Sequence, residues 1–221
     1  ELEMLEARAG SDVVSAWIKV DTGMNRLGFR LEQFGAAYDR LRHIGNVAAD
    51  PTLMTHLANA DDRRDAMTPL QLQSFASATA GLAGARSIAN SAALLAWPDT
   101  RADWVRPGLV LYGVTPFPSG MGAELGLRPV MTLQTEVIAV KDVRAGESVG
   151  YGGAWRAPRD TRMAVIAAGY GDGYPRSVES GTPVLVNGHR APLIGRVSMD
   201  MITVDVTDLP GVAMADPVVL W

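Results

Sequence analysis

The sequence predicts an α/β domain followed by a β domain. Residues 1–126 read as the C-terminal half of a TIM-like (β/α)8 barrel, and residues 127–221 as a mostly antiparallel β domain. Three observations carry this. Strand-like apolar runs alternate with helix-periodic segments through the first half, the rhythm of parallel strands joined by crossover helices. From about residue 127 the β-rich runs are separated by Gly, Pro and Asp turns, with no helical period between them. The first half has room for only about half of the eight strand–helix units of a complete barrel.

The elements follow in order. Val14–Val20 reads as a strand that carries Lys19 and breaks at Asp21-Thr22-Gly23, with Arg26 in the loop beyond. A strand that ends in a glycine loop, with charges at its carboxyl end, is how such barrels build anionic-ligand sites. Leu31–Leu41 is a helix with Leu31, Phe34, Tyr38 and Leu41 on one side. Met54–Leu57 is a short strand bearing His56. Thr68-Pro69 opens the next helix, threonine as N-cap and proline in the first turn. Leu72, Phe75, Ala76, Leu82 and Ala83 give its apolar stripe, with Thr79 its one polar member. Arg86–Ala89 and Gly108–Tyr112 are two further strands, and Ser119–Gly122 is the linker between the halves. Val130–Val140, Met163–Ala168, Pro183–Val186 and Ile202–Val206 then supply the β domain.

The bulk composition narrows the function. A hydrophobic content of 48% and a mean hydropathy of +0.08 fit a globular protein, and no apolar run approaches the roughly 20 residues of a membrane span. The opening stretch Glu1–Arg8 is acidic and has no basic n-region, so it is not a secretory signal. A net charge of −4 argues against a nucleic-acid surface. The absence of cysteine excludes disulfides and thiolate metal sites, no metal site is predicted, and the expected location is cytoplasmic. Lys19 and Lys141 are the only lysines, so lysine chemistry has two candidates. The chain opens inside a helix-like segment without Met and stops at the apolar run Val218–Trp221. Since half a barrel exposes unpaired strand edges, the expectation is a piece of a longer protein.

Several residues could carry chemistry, each beside a plainer reading. Asn90 or Ser91 caps a helix, either simply or with an anion at its free N–H groups. Gly108 in Arg106-Pro107-Gly108-Leu109 is a place where backbone can approach a phosphate. Arg106 is a surface charge or a ligand contact, and His56 a structural imidazole or its neighbour. Lys19 and Arg26 repel one another unless an anion lies nearby. Tyr151 sits among glycines in Gly150-Tyr151-Gly152-Gly153, Tyr170 in a glycine-rich turn, and Met199 in Ser198-Met199-Asp200.

The run Lys19-Val20-Asp21-Thr22-Gly23-Met24-Asn25-Arg26-Leu27-Gly28 closely resembles a signature of bacterial alanine racemases. The resemblance recurs at five further places, among them Asn90-Ser91, Arg106–Leu109, Tyr151, Tyr170 and Gly195–Met201. It implies interconversion of L- and D-alanine through a pyridoxal 5'-phosphate aldimine, with two bases on opposite faces, serving peptidoglycan synthesis or alanine catabolism. By the same resemblance Ser91, Gly108 and Leu109, beside Asn90, hold the cofactor phosphate. Arg106 meets the pyridine nitrogen and His56 hydrogen-bonds that arginine. Lys19 matches a lysine that is often carbamylated in the family, an anion that steadies Arg26, which contacts the cofactor's phenolic oxygen and the substrate carboxylate. Tyr151 is one catalytic base, supplied across a homodimer with shared active sites. The Met199 N–H binds substrate carboxylate, and Tyr170 gates the entrance.

Two parts of the family pattern are missing. The Schiff-base lysine segment of the first barrel strand is absent, as is the phosphate-binding tyrosine near the family's C-terminus. The chain therefore carries one base of two and is expected to be inactive alone. The rival readings are a broad-specificity amino-acid racemase of the same fold, a related decarboxylase, and a non-catalytic binding or dimerisation fragment.

Overall fold

The computed structural model describes residues 2–7 and 12–221, so Glu1 and Arg8 of the acidic opening lie outside the described residues. Two compact units meet at Val130 and Met131, a few residues beyond the expected boundary at 126. Ser119–Gly122 is not the divide. It lies inside the first unit, where Gly122 opens a 3-10 turn that runs through Leu125.

The first unit runs α1 (Leu2–Glu6), β1 (Trp17–Lys19), α2 (Leu31–Arg42), β2 (Thr52–Met54), α3 (Met67–Ala78), β3 (Arg86–Ser87) and α4 (Ser91–Ala96). Strands β1, β2 and β3 pair in parallel in that order. Each strand is shorter than expected. Val14 and Val20 join only isolated bridges, and β2 stops at Met54. His56 therefore stands in the loop past the strand's carboxyl end, not on a strand. The backbone leaves the ladder there because the Ala58 N–H and the His56 carbonyl both turn to Gln71 of α3.

Gly108–Tyr112 is not a strand either. Leu109–Tyr112 forms a 3-10 turn closed by Gly113 at φ 81°. The segment touches β3 earlier, through a Ser87–Trp104 bridge and an Arg106 N–H on the Ala89 carbonyl. Pro107 has no N–H with which to continue that ladder.

One face of the sheet, with Ile18, Val20 and Leu53, packs on Phe34, Tyr38 and Leu41 of α2 and on Phe75 of α3. Leu31 was expected on this stripe but is 42% exposed, and Ala37 is buried instead. In α3, Ala66 and not Thr68 takes the N-cap place. The Asp65 carboxylate accepts the Met67 N–H at 2.6 Å and starts the helix early. That helix ends at Ala78, so Leu82 and Ala83 fall beyond it, and its buried face is Thr68, Gln71 and Phe75, with Ala76 exposed. On the sheet's other face the Trp17 and Trp104 rings lie 5.8 Å apart. Their chain segments are three strand spacings apart, about 14 Å in a flat sheet.

The second unit is built from β4 (Gln134–Val143), β5 (Ser148–Val149), β6 (Trp155–Arg156), β7 (Thr161–Ile166), β8 (Pro183–Val186), β9 (His189–Pro192), β10 (Ile202–Asp205) and β11 (Pro217–Val219). Six of these form an antiparallel sheet in the order β10-β7-β4-β11-β8-β9, while β5 and β6 pair separately. A Leu193–Val204 bridge joins the end of β9 to β10, so the sheet curls onto itself around Val137, Ile166, Val186, Ile202 and Val218. Among the described residues no helix is long and apolar enough to cross a membrane. None of their His, Cys, Asp and Glu side chains gather in threes or more to hold a metal ion.

Candidate functional site

Parallel register places Lys19, Met54 and Ser87 in one row at the carboxyl ends of β1, β2 and β3. Arg106 enters beside this row. One guanidinium nitrogen, Nη1, donates to Ser87 Oγ at 2.6 Å. The other, Nη2, donates to the carbonyls of Thr55 at 2.5 Å and Ile88 at 3.3 Å, and lies 3.4 Å from His56 Nδ1. A guanidinium only donates, so His56 Nδ1 must be the accepting, unprotonated nitrogen. Burial first, then the charges of Arg106, Arg26 and Lys19, lower the His56 pKa to about 4, so its ring is neutral at pH 7. Burial also lowers the pKa of Arg106. That of Lys19 is lowered by burial and then by Arg26 and Arg106, against the pull of Asp21.

The loop after β1 brings Arg26 to this place. Asp21 N–H donates to the Phe29 carbonyl and Phe29 N–H to the Lys19 carbonyl, folding residues 21–28 back on the strand end. Gly28 has φ +123°, and a Cβ there would come 2.9 Å from the Asp21 nitrogen. The Asp21 carboxylate is taken up by the N–H groups of Gly23 and Asn25, both at 3.0 Å. Three cations thus share one mouth with an aspartate that is already engaged by backbone. Such a donor set fits an anionic ligand.

Asn90 does what a plain cap does: its Oδ1 accepts the Ala93 N–H at 3.0 Å, while its Nδ2 donates to the Leu57 carbonyl. Ser91 and Gly108 are brought together, the Gly108 N–H donating to Ser91 Oγ at 2.8 Å. A Cβ at Gly108 would stand 3.9 Å from that hydroxyl. Leu109 begins the exposed 3-10 turn that follows.

Sequence reasoning overlooked the polar floor beneath Arg106. Gln71 is fully buried; its Nε2 donates to Thr22 Oγ1 at 3.1 Å and to the His56 carbonyl at 3.0 Å. Its Oε1 accepts the Ala58 N–H at 2.9 Å, and the Thr22 and Thr55 hydroxyls lie 2.8 Å apart. The signal was present in the spacing, since Gln71 shares a helical face with Phe75 and Thr79. Ser87 was overlooked too, being a small residue inside an apolar run.

The remaining predicted residues lie in the second unit. Tyr151 is 72% exposed on the turn Tyr151–Gly153, between Gly150 at φ 74° and Gly152 at φ 70°. A Cβ on Gly150 would lie 3.6 Å from the Arg196 nitrogen, so this turn sits on the segment leading to Met199. The loops that carry Tyr170 and Met199 are joined by two backbone hydrogen bonds. Tyr170 N–H donates to the Ser198 carbonyl at 3.0 Å and Gly171 N–H to that of Met199 at 2.7 Å. Gly169 permits this approach, because a Cβ there would be 2.3 Å from the Met199 oxygen. The Arg176 guanidinium covers the Tyr170 ring at 5.5 Å. Lys141 lies in β4, paired with Met163 of β7, away from these groups.

Residues 1–116 match the family model described as alanine racemase, N-terminal domain, and residues 130–221 the model for the alanine racemase C-terminal domain. The chain is 52% identical over 221 residues to an alanine racemase of Shewanella baltica, covering all of this chain and 62% of that protein. It is similar to the crystal structure of a biosynthetic alanine racemase from Pseudomonas aeruginosa, with a TM-score of 0.94 and 46% identity over 100% of this chain and 61% of that one. An alanine racemase structure from Bartonella henselae with covalently bound pyridoxal phosphate matches at TM-score 0.79 and 33% identity, over 94% and 57% of the two chains. The chain thus spans about 62% of the length of the curated relatives it matches.

Proposed function

The chain belongs to the alanine racemase family, and from that premise we propose that it forms the central and C-terminal part of a pyridoxal-phosphate-dependent enzyme interconverting L- and D-alanine. The observation that supports this best is the Arg106 guanidinium held by Ser87 and Thr55 beside a neutral His56, with Lys19 and Arg26 at the same mouth. In this reading the three parallel strands belong to one half of a (β/α)8 barrel, and the enzyme works in the cytoplasm as a homodimer with shared active sites.

The residues present suit the cofactor's two ends. Ser91 and the Gly108 and Leu109 backbone would hold the phosphate, beside Asn90, whose side chain caps the helix; the Ser91–Gly108 bond keeps these groups together. Arg106 faces the pyridine nitrogen. Its guanidinium stays charged and accepts no proton, and since His56 accepts from it, the imidazole holds the arginine without competing for a proton. When bound, pyridoxal phosphate supplies the electron sink that makes the substrate's α-proton removable.

The chain's own groups bind and move the proton. Arg26 contacts the phenolic oxygen and the substrate carboxylate, which the Met199 N–H also holds. Burial and the neighbouring Arg26 and Arg106 favour the neutral amine of Lys19; that amine nitrogen bonds to the carbon of CO2 with release of one proton. The carbamate is the anion that Arg26 lacks. Tyr151, exposed and flanked by glycines, reaches a neighbouring subunit's cleft and exchanges the α-proton at its phenolic oxygen on the L-alanine face. Tyr170 narrows the entrance beside it. Lys19 ends β1 and Lys141 lies in β4 of the second unit; in this reading the base for the D-alanine face is a lysine supplied from outside this chain.

The test is alanine racemisation with added pyridoxal phosphate, by the chain alone and with a lysine-bearing N-terminal segment of a longer relative supplied. Inactivity alone and activity on supplementation support the reading; activity of the chain alone would make Lys19 or Lys141 the second base. In the active form Tyr151→Phe should lose about 100-fold or more in turnover while keeping the cofactor's absorbance. Normal turnover in that variant would refute the role of Tyr151.

A further inference from the structure

We propose that Gln71 is a positioning residue for the Arg106–His56 pair: with Thr22 and Thr55 it forms a buried brace that fixes the loop on which both depend. This rests on the proposed role of Arg106 only for its catalytic meaning.

The geometry carries the brace itself. Among the described residues no carboxylate pairs with Arg106; one of its two short anchors is the Thr55 carbonyl. That carbonyl and His56 belong to residues 55–58, which lie past the end of β2; the Thr55 N–H still reaches the Ser87 carbonyl of β3 at 3.2 Å, but His56 and Ala58 have no ladder partner among the described residues. Gln71 supplies what the ladder no longer does. From α3 it grips this loop at the His56 carbonyl and the Ala58 N–H, and grips the β1 loop at Thr22. Thr22 in turn bonds the Thr55 hydroxyl. Gln71, Thr22 and Thr55 are each at most 9% exposed, so water does not compete for these bonds. The Gln71 amide and the Thr22–Thr55 bond therefore tie together the loops after β1 and β2, which carry Arg26 and His56. In a medium of low dielectric such a satisfied network is stiff, and each unmet group is costly.

Thr68 provides an internal comparison. It lies one turn before Gln71 on the same helix, is equally buried, and its hydroxyl has no partner among the described residues. Loss of that hydroxyl tests burial and helix packing without touching the brace.

The experiment is an NMR titration of the His56 imidazole in the 221-residue chain, which has only three histidines to assign. The charges facing His56 are Arg106, Arg26 and Lys19. With Gln71→Met, which keeps length and volume but neither donor nor acceptor, the loop loosens and the ring gains water and moves from Arg106. Its midpoint should rise by at least about one pH unit toward the ordinary value near 6.5. Thr68→Val should leave it unchanged. Should Gln71→Met fail to fold, Thr22→Val removes the shared hydroxyl and should raise the midpoint too, with Thr22→Ser restoring it. A midpoint that moves no more in Gln71→Met or Thr22→Val than in Thr68→Val, with the fold retained, overturns the proposal. No cofactor is present, so this outcome is independent of whether Arg106 meets pyridoxal phosphate. Absorbance titration with pyridoxal phosphate on the same variants reads the second question separately.

Discussion

Acid should destabilise the first unit through one imidazole. His56 has a pKa of about 4 in the folded chain, whereas an unfolded histidine titrates near 6.5. Between those values the unfolded state takes up a proton that the folded state refuses. Stability therefore falls as pH falls through this window, and the loss is complete below about pH 4. Full transmission of the shift would cost roughly 3 kcal/mol. The ring is only half-buried and water screens it, which reduces the expected loss to about 1–2 kcal/mol. The assay is urea unfolding at pH 7.5 and pH 4.5, followed by fluorescence of Trp17, Trp97 and Trp104, all in this unit. The reference is His56→Gln, which keeps an acceptor for Arg106 and cannot be protonated. Carboxylates act alike in both proteins, so the difference between their pH dependences isolates His56. The wild-type chain should lose about 1–2 kcal/mol more than the variant. Parallel losses, or a larger loss in the variant, would refute the reasoning.

Two glycines of the first unit should answer alanine in opposite directions in thermal melts. Gly28→Ala meets backbone at 2.9 Å with φ +123° and should cost about 2–3 kcal/mol; Gly35→Ala, in open space within α2, should stabilise by about 0.5–1 kcal/mol. In the second unit, Gly169→Ala drives a Cβ to 2.3 Å from the Met199 oxygen and separates the two loops. Two backbone hydrogen bonds are lost, about 1 kcal/mol each; hydrogen exchange should show Tyr170 and Gly171 amides losing protection, and unchanged protection would count against the loop pairing.

The parallel strands, the helix at 31–42 and the antiparallel second unit were legible because local patterning and tertiary structure agree there. Lys19 and Arg26 were legible because a charged strand end and a glycine turn occupy adjacent positions. Elsewhere long-range bonds decided the outcome. Gly108–Tyr112 has strand-like composition, yet Pro107 and Gly113 bound a 3-10 turn. Met54–Leu57 reads as a strand, but the Gln71 amide, thirteen or more positions away, takes the His56 carbonyl and the Ala58 N–H. Gln71 itself is a polar residue on an inward helical face, and nothing local says that its partners lie in two other loops. Val218–Trp221 reads as a terminal apolar run, and only pairing with both β4 and β8 makes Pro217–Val219 a strand.

The place of β11 has a consequence during synthesis. The second unit's sheet curls into a nearly closed barrel whose seam lies between β4 and β8, and β11 is the stave that fills it. Glu136 waits for Pro217, so translation must carry residue 219 clear of the ribosome before the seam can shut. At about 5–20 residues per second the nascent chain spends several seconds with two bare edges facing one another. Those edges are templates for any other extended segment. The interval, more than the finished fold, is where this unit is open to misassembly and where a chaperone would act.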